Sequence, residues 1–361
     1  MIIGVPSEVK NNENRVGLTP NSVQSLVSLG HDVLIQNNAG ANIGFLNDQY
    51  IAAGAKLIET AEDVYKSSEM IVKVKEPTPD EYKFLRDDLT LFTYLHLAGD
   101  PENAKKLIDT GVTGIAYETV TSSDGSMPLL APMSTIAGQL AFIVGSYHLL
   151  KHNKGKGVMI GKMDDIDPRV VTVIGAGVSG TQSILKAIDN NAIVKVVDSS
   201  QSKLDELQSK YGSNNIEYVL STQESIQSSI NDSDLVIGSV YVVGKEAPKV
   251  VKREMLSSMN PGTVMVDVSI DQGGCFETSK PTTHDNPTFL ENDIVHYCVT
   301  NMPGAVPLTA TEALNKVTLS YVENLANNGI QNALDSDEHL RNGLNILDGR
   351  IVHPGVKEAL E

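Results

Sequence analysis

The segment "VVTVIGAGVSG" constrains the fold of this chain more than any other. A β-branched apolar run is followed by Gly175, Gly177 and Gly180 in the spacing G-x-G-x-x-G. After a strand, the first glycine allows a tight turn, the second lets the backbone approach a pyrophosphate, and the third lets the next helix pack closely on the strand. The helix that follows directs its N–H groups toward the phosphates. The segment therefore predicts a βαβ unit that binds a dinucleotide.

The next predicted strand agrees with this interpretation. It ends at Asp198 in "VKVVDSS", where an acidic residue is expected to accept hydrogen bonds from an adenosine ribose. A carboxylate there repels a 2′-phosphate, so the sequence favours NAD over NADP. The alternative, that Asp198 is a turn residue with no ligand, is the weaker interpretation, because the strand, the glycine pattern and the spacing agree.

Two series of Val- and Ile-rich runs alternate with helical patterns, as in parallel sheets with crossover helices. The first series predicts the strands "IIGVP", "DVLIQ", "MIVKVK", "LFTYLHL" and "GIAYETV". The second predicts "VVTVIG", "IVKVVD", "IEYVL", "LVIGSV" and "TVMVDVS". We predict an α/β chain of two Rossmann-like, doubly wound parallel-sheet domains. From Pro307 onward we predict helices, the first starting at a Thr309–Glu312 capping box and ending before Gly329.

Length and charge exclude several kinds of protein. A chain of 361 residues suits two domains rather than one core. Its 28 Lys and Arg residues against 45 Asp and Glu residues give a field that repels polyanions, which argues against a nucleic-acid partner. The apolar segment 129–150 is long enough to span a membrane but contains Pro132, Gln139 and His148. We expect it to be a buried core helix, and no membrane partner.

The two cysteines and the amino terminus bear on the compartment. Cys275 and Cys298 cannot form a disulfide framework and do not have metal-ligand spacing, so we expect no metal site. The first residues lack the pattern of a secretory signal. Both observations favour a cytoplasmic protein.

Polar residues at predicted strand ends are candidates for a substrate site, because ligands bind at the carboxyl ends of strands in open α/β sheets. Arg15 lies in the loop after the first strand, and its guanidinium can bind a carboxylate with two hydrogen bonds. Lys73 and Lys75 alternate with valines, and Lys75 is nearer the strand end. Asp271 follows the strand "TVMVDVS". Each of these residues alone could be a solvated or turn residue.

His96 ends the apolar run "LFTYLHL", just before the helix start Asp100-Pro101. It can be a hydrogen-bonded core histidine, or a group that transfers protons near neutral pH. The residues alone leave both interpretations open. The second requires His96, Arg15, Lys75 and Asp271 to converge on one site.

The sequence resembles the alanine dehydrogenases nearly from end to end. The resemblance is carried by ordered motifs, which are "SEVKNNENRVGLTP", "VKVKEP", "TYLHLAGD", "GAGVSG", "DVSIDQGGCFETSKPTTH" and "HYCVTNMPGAVPLTATEAL". It implies an oxidoreductase of L-alanine catabolism, which converts L-alanine and NAD reversibly to pyruvate, ammonia and NADH.

The resemblance also implies roles for individual residues. Arg15 and Lys75 would bind the substrate carboxylate and carbonyl oxygen, and His96 and Asp271 would be the catalytic acid/base pair. The residues that would line the cofactor NAD are Ser134, Gly175, Gly177, Val178, Ser179, Gly180, Asp198, Lys203, Ser221, Val240, Tyr241, Val268, Ser269, Ile270, Asp271, Val299, Thr300, Asn301 and Met302.

The resemblance further implies a discontinuous substrate domain of residues 1–128 plus 307–361 and an NAD-binding domain of residues 129–306. A cleft would separate them, and long helices at 131–150 and 309–326 would bridge them. It implies a homohexamer. The sequence leaves three alternatives open. They are the NAD-binding subunit of a transhydrogenase, a dehydrogenase of the saccharopine kind and a catalytically silent NAD(H)-binding protein.

Overall fold

The computed structural model describes residues 1–242 and 246–360. The chain folds into two compact units. Unit 1 consists of Met1–Met133 and the residues from Gly304 onward, and unit 2 is Ser134–Pro303. Each unit contains its own β-sheet, and each is described by itself.

Strands and helices alternate through most of the described chain. The strands are β1 (Ile2–Val5), β2 (Asp32–Gln36), β3 (Lys56–Ile58), β4 (Met70–Val72), β5 (Thr90–Thr93), β6 (Thr113–Ala116), β7 (Val170–Ile174), β8 (Ile193–Asp198), β9 (Ile216–Leu220), β10 (Leu235–Gly238), β11 (Val264–Asp267), β12 (Thr288–Glu291), β13 (Ile294–Tyr297), β14 (Leu344–Leu347) and β15 (Arg350–Ile351). The α-helices are α1 (Pro20–Ser28), α2 (Asn47–Ala52), α3 (Ala61–Ser67), α4 (Pro101–Asp109), α5 (Ala131–His148), α6 (Val178–Asp189), α7 (Gln201–Tyr211), α8 (Gln223–Asn231), α9 (Pro307–Asn328), α10 (Ile330–Ser336), α11 (Glu338–Arg341) and α12 (Pro354–Leu360).

The sheet of unit 1 has eight strands within the described residues, in the order β15-β14-β6-β5-β4-β1-β2-β3. From β6 to β3 all neighbours are parallel, and β14 and β15 are added antiparallel at one edge. The central strands β4 and β5 are buried along their whole length, as expected for strands covered on both faces. Strand order reverses beside β1, which lies between β2 and β4.

The sheet of unit 2 has seven strands in the described residues, in the order β12-β13-β11-β10-β7-β8-β9. Only β12 is antiparallel to its neighbour. Strand order reverses between β7 and β10, so the glycine-rich turn after β7 lies at the switch point where such sheets bind ligands. The two sheets confirm the predicted α/β class with two doubly wound, mainly parallel sheets.

Two helix starts confirm their sequence signals. Thr19 accepts a hydrogen bond from the Ser22 amide, and α1 begins at the proline that follows Thr19. Asp100 caps α4 in the same way through the amide of Asn103. Proline at the first helical position costs no hydrogen bond, because that N–H has no partner inside the helix.

The region after Pro307 corrects two expectations. Helix α9 begins at Pro307, with Val306 at its N-cap, so the predicted capping box at Thr309 and Glu312 is wrong. Proline has the helical φ already and needs no N–H partner, which lets the helix start two residues earlier. The region is also not wholly helical, because β14 pairs with β6 across more than 200 residues of sequence.

Segment 129–150 contains helix α5, whose residues are buried or half-buried except at two positions. Ala141 and Phe142 belong to the core of unit 2, whereas the side chains of Ile143 and Tyr147 are exposed. The expectation of a buried core helix therefore holds for most of α5, with these two side chains as the exceptions. Among the described residues, no helix is long and apolar enough to cross a membrane.

Candidate active site

The carboxyl ends of four neighbouring strands bring ionisable residues to one edge of unit 1. Arg15 lies in the loop after β1, Lys75 after β4, His96 after β5 and Glu118 after β6. These strands are adjacent in the order β6-β5-β4-β1. Each of these residues lies beyond its strand rather than within it. The strand predicted as "LFTYLHL", for example, ends at Thr93.

Arg15 is held by a partner that sequence reasoning missed. Its Nε donates to Glu13 Oε1 at 2.7 Å, and its Nη2 donates to Glu13 Oε2 at 2.5 Å. Burial opposes the charge of the guanidinium, but the hydrogen bonds and charge of Glu13 outweigh it and raise the pKa of Arg15. A two-point pair of this kind fixes the guanidinium plane. The acidic residue two positions before Arg15 in "NENR" was the available signal.

Lys73 and Lys75 have different environments although they lie two residues apart. Lys73 is 1% exposed, and its Nζ lies 2.8 Å from Glu81 Oε1 and 3.6 Å from Glu8 Oε2. Lys75 is only half-buried, and its carbonyl oxygen accepts a hydrogen bond from Thr93 Oγ1 at 3.1 Å. Lys73 is therefore part of an internal ion-pair network, and Lys75 is the lysine available to a ligand.

His96 has an unusual backbone conformation. Its φ of 49° and ψ of 33° place it in the left-handed region, which costs a non-glycine residue about 1–2 kcal/mol. The His96 amide donates to Glu118 Oε1 at 2.6 Å. The imidazole stacks on the ring of Tyr94, with centroids 5.6 Å apart and an interplanar angle of 7°. Hydrogen bonding and stacking together hold His96 in a conformation that the sequence did not indicate.

The electrostatics of unit 1 keep His96 neutral. Removal from water lowers the pKa of His96 well below its usual 6.5, and the positive charges of Lys75, Lys10 and Arg15 lower it further. A neutral imidazole at pH 7 accepts a proton. The same effect shows that three cations act on the imidazole, which suits a site for an anionic substrate.

In unit 2, almost all predicted cofactor residues follow the carboxyl ends of strands. The glycine-rich turn follows β7, Asp198 ends β8, and Ser221 follows β9. Val240 and Tyr241 follow β10. Val268, Ser269, Ile270 and Asp271 follow β11, and Val299, Thr300, Asn301 and Met302 follow β13. The exceptions are Ser134 on α5 and Lys203 on α7.

The three glycines of the turn have distinct geometries. Gly175 has a φ of 92°, and a Cβ on Gly180 would overlap the Gly175 carbonyl oxygen. A Cβ on Gly177 would meet nothing within 4 Å. The first and third glycines are therefore required by the fold. Gly177 and Val178 are exposed, so the first turn of α6 is open to a phosphate group.

This difference gives a test of the cofactor site. We expect Gly177→Ala to weaken NADH binding about tenfold or more, equivalent to about 1.4 kcal/mol, because the methyl group occupies space that the pyrophosphate needs. Fluorescence titration with NADH measures the affinity. The melting temperature of Gly177→Ala should match the wild type, whereas Gly180→Ala should lower it. Wild-type NADH affinity in Gly177→Ala would show that the dinucleotide binds elsewhere.

Asp198 supports the turn that precedes it. Its Oδ2 accepts a hydrogen bond from the Ala176 amide at 2.7 Å, and its Oδ1 accepts one from the Ser200 amide at 2.8 Å. An open depression of about 420 Å³ lies between α6 and α7, and it includes Gly177, Val178 and Lys203. Its volume is within the range of ligand sites.

Asp271 lies in a short turn after β11, where its side chain is exposed. The turn is fixed by Asp267, which is fully buried and accepts hydrogen bonds from the amides of Ser269 at 3.0 Å and Cys275 at 2.8 Å. Sequence reasoning missed Asp267. An aspartate at the end of the apolar run "TVMVD" was the available signal. The structure thus groups Arg15, Lys75 and His96 in unit 1, and Asp271 with the predicted cofactor residues in unit 2.

Fold and site together define a two-domain α/β protein of the dinucleotide-binding class. Residues 4–137 match the profile "Alanine dehydrogenase/PNT, N-terminal domain", and residues 141–354 match "Alanine dehydrogenase/PNT, C-terminal domain". The chain belongs to this alanine dehydrogenase/PNT family, as the sequence resemblance predicted.

Individual relatives match over nearly the full chain. Alanine dehydrogenase of Halomonas elongata is 47% identical over 99% of this chain and 96% of its own length. Alanine dehydrogenase of Bacillus subtilis is 45% identical over 100% of this chain and 95% of its own. A solved L-alanine dehydrogenase structure is 45% identical and covers 99% of both chains with a TM-score of 0.94. A transhydrogenase structure from Sinorhizobium meliloti, 24% identical with a TM-score of 0.82, shares the fold.

Proposed function

We propose that this protein is an NAD-dependent amino-acid dehydrogenase that converts L-alanine reversibly to pyruvate and ammonia. The observation that carries the proposal is the cluster in unit 1, where Arg15, Lys75 and a neutral His96 lie beyond the carboxyl ends of neighbouring strands. Such a cluster suits a small substrate with a carboxylate. Full-length relatives named alanine dehydrogenase support the choice of L-alanine.

The residues of unit 2 fit NAD. The open space at Gly177 and the exposed N-terminus of α6 would accept the pyrophosphate, and Asp198 would face the adenosine ribose. The carboxylate of Asp198 disfavours a 2′-phosphate, and hence NADP. When bound, the nicotinamide of NAD accepts a hydride from the substrate Cα.

The chemistry assigned to the protein is binding and proton transfer. Arg15 and Lys75 would bind the carboxylate and the carbonyl oxygen of the substrate. As hydride leaves Cα, the amine loses a proton and becomes an imine, to which water adds before ammonia leaves. Because His96 is neutral at pH 7, it can accept a proton in this sequence. Asp271 would be its acid/base partner.

These assignments give each domain its own role. We propose residues 1–128 plus 307–361 as the substrate domain and 129–306 as the NAD-binding domain. The exposed apolar side chains of Ile143 and Tyr147 on α5 support a homo-oligomer, for which we propose a hexamer.

Two buried free cysteines suit a reducing cytoplasm.

One assay tests the proposed function. With L-alanine and NAD at alkaline pH we expect NADH to form, followed optically, and much less turnover with NADP. L-serine, glycine and saccharopine serve as substrate controls. Turnover with saccharopine instead would indicate the other dehydrogenase. NADH binding without turnover would indicate a silent or transhydrogenase-type NAD(H)-binding subunit.

A further inference from the structure

Glu118 is a partly buried carboxylate beside the loop that carries His96. It lies in a short turn directly after β6, and β6 pairs in parallel with β5 so that Ala116 lies opposite Thr93. The segments that leave the two strands therefore run side by side. Glu118 has no part in the roles proposed above.

The carboxylate of Glu118 binds two successive main-chain amides, those of Leu95 and His96. Glu118 Oε1 accepts hydrogen bonds from the His96 amide at 2.6 Å and from the Leu95 amide at 3.2 Å. Its Oε2 lies 3.3 Å from the Leu95 amide. Hydrogen bonds to a charged acceptor are stronger than neutral ones, so the contact restrains these two peptides strongly.

His96 needs this restraint because its backbone is left-handed. A non-glycine residue in that region persists only when its surroundings hold it there. Stacking on Tyr94 restrains the ring, and the edge-on contact of Tyr117 restrains Tyr94 in turn. Neither contact binds the backbone of His96, whereas Glu118 does.

We propose that Glu118 is a positioning residue for His96, because its carboxylate holds the His96 backbone in the conformation that aims the imidazole at the substrate. This inference rests on the proposed function, in which His96 transfers protons. Glu118 touches neither substrate nor cofactor in this role and acts only through His96.

The ionisation of Glu118 gives the proposal a pH signature. Removal from water raises the pKa of Glu118 to about 7, although the amides of His96 and Leu95 lower it, and the charge of Glu76 raises it further. The charge of Glu118 also acts on the Tyr94 hydroxyl. Below this pKa, Glu118 is protonated and its bonds to the loop weaken. We therefore expect kcat to fall as the pH drops through about 7, above the pKa of His96 itself.

The test compares Glu118→Gln and Glu118→Ala with Glu62→Gln, a control at an exposed glutamate of α3. We expect Glu118→Ala to lower kcat about 10- to 100-fold, the size of effect that a slight misplacement of a catalytic group produces. NADH affinity should stay at the wild-type value, and added formate should restore part of kcat by replacing the carboxylate. Glu118→Gln keeps the shape and one acceptor, so it should lose less activity and lack the fall in kcat near pH 7.

The outcomes separate the two proposals. If the wild type does not oxidise L-alanine, the proposed function fails. If the wild type is active and Glu118→Gln keeps both its kcat and its fall near pH 7, the role of Glu118 is refuted and the proposed function stands. If Glu118→Ala does not fold, the pH profile of Glu118→Gln still decides.

Discussion

His96→Ala is expected to lower kcat for L-alanine oxidation by about 100- to 10,000-fold, the range that general acid–base catalysis contributes. Affinity for NADH should not change, because the imidazole belongs to unit 1 and the glycine-rich turn to unit 2. Stopped-flow or steady-state NADH formation gives kcat, and fluorescence titration gives the affinity.

His152→Ala is the matched control, since His152 is an exposed histidine outside the cluster. It should have wild-type kcat. The pH profile adds a second check. Because the pKa of His96 is lowered, the imidazole is neutral throughout the range above pH 6.5, so activity at pH 8 should not be limited by its protonation. Wild-type kcat in His96→Ala would remove His96 from the mechanism.

The same substitution at the two lysines of "VKVKEP" is expected to affect stability at Lys73 and activity at Lys75. Lys73→Met leaves the buried carboxylates of Glu8 and Glu81 without their cation, which costs about 3–5 kcal/mol of folding free energy. Lys75→Met should leave stability unchanged, because Lys75 is half-buried and outside that network. It should instead raise the KM for L-alanine and lower kcat strongly, since a cation at the substrate is lost.

Urea unfolding followed by circular dichroism measures the first effect, and initial rates measure the second. The two variants control each other, because they share the segment after β4, the residue type and the replacement. Equal stability of Lys73→Met and wild type would show that the ion-pair network contributes little. Full activity of Lys75→Met would exclude Lys75 from the substrate site.

Local features of this chain were predictable from the sequence. The turn at Gly175, Gly177 and Gly180 and the helix starts at Thr19 and Asp100 depend on neighbouring residues, so their patterns can be read directly. The sheet order around the glycine-rich turn follows from general rules for parallel strands. Strand ends also indicated where Arg15, Lys75 and His96 would lie, although the roles of these residues remain predictions.

Several of the features that were missed depend on contacts between segments that are apart in sequence. Strands β14 and β15 were missed although Asp348 and Gly349, between two apolar runs, are a hairpin signal. The pairing of β14 with β6, in contrast, joins segments more than 200 residues apart and has no local signal. The pairing of Lys73 with Glu81 is equally hidden, because the alternation of "VKVK" gives both lysines the same pattern. The left-handed backbone of His96 results from Glu118, which is 22 residues away in sequence.

Both units use one acidic side chain to shape the turn that carries a candidate acid/base group. Glu118 does this for His96, and Asp267 does it for the turn of Asp271. In each case a carboxylate replaces the neighbouring strand as the partner of main-chain N–H groups beyond the end of the sheet. The sheet thus determines where each turn begins, while a single side chain determines its shape. Evolution or design can therefore alter either turn by one substitution without changing the hydrogen-bond ladder on which the fold depends.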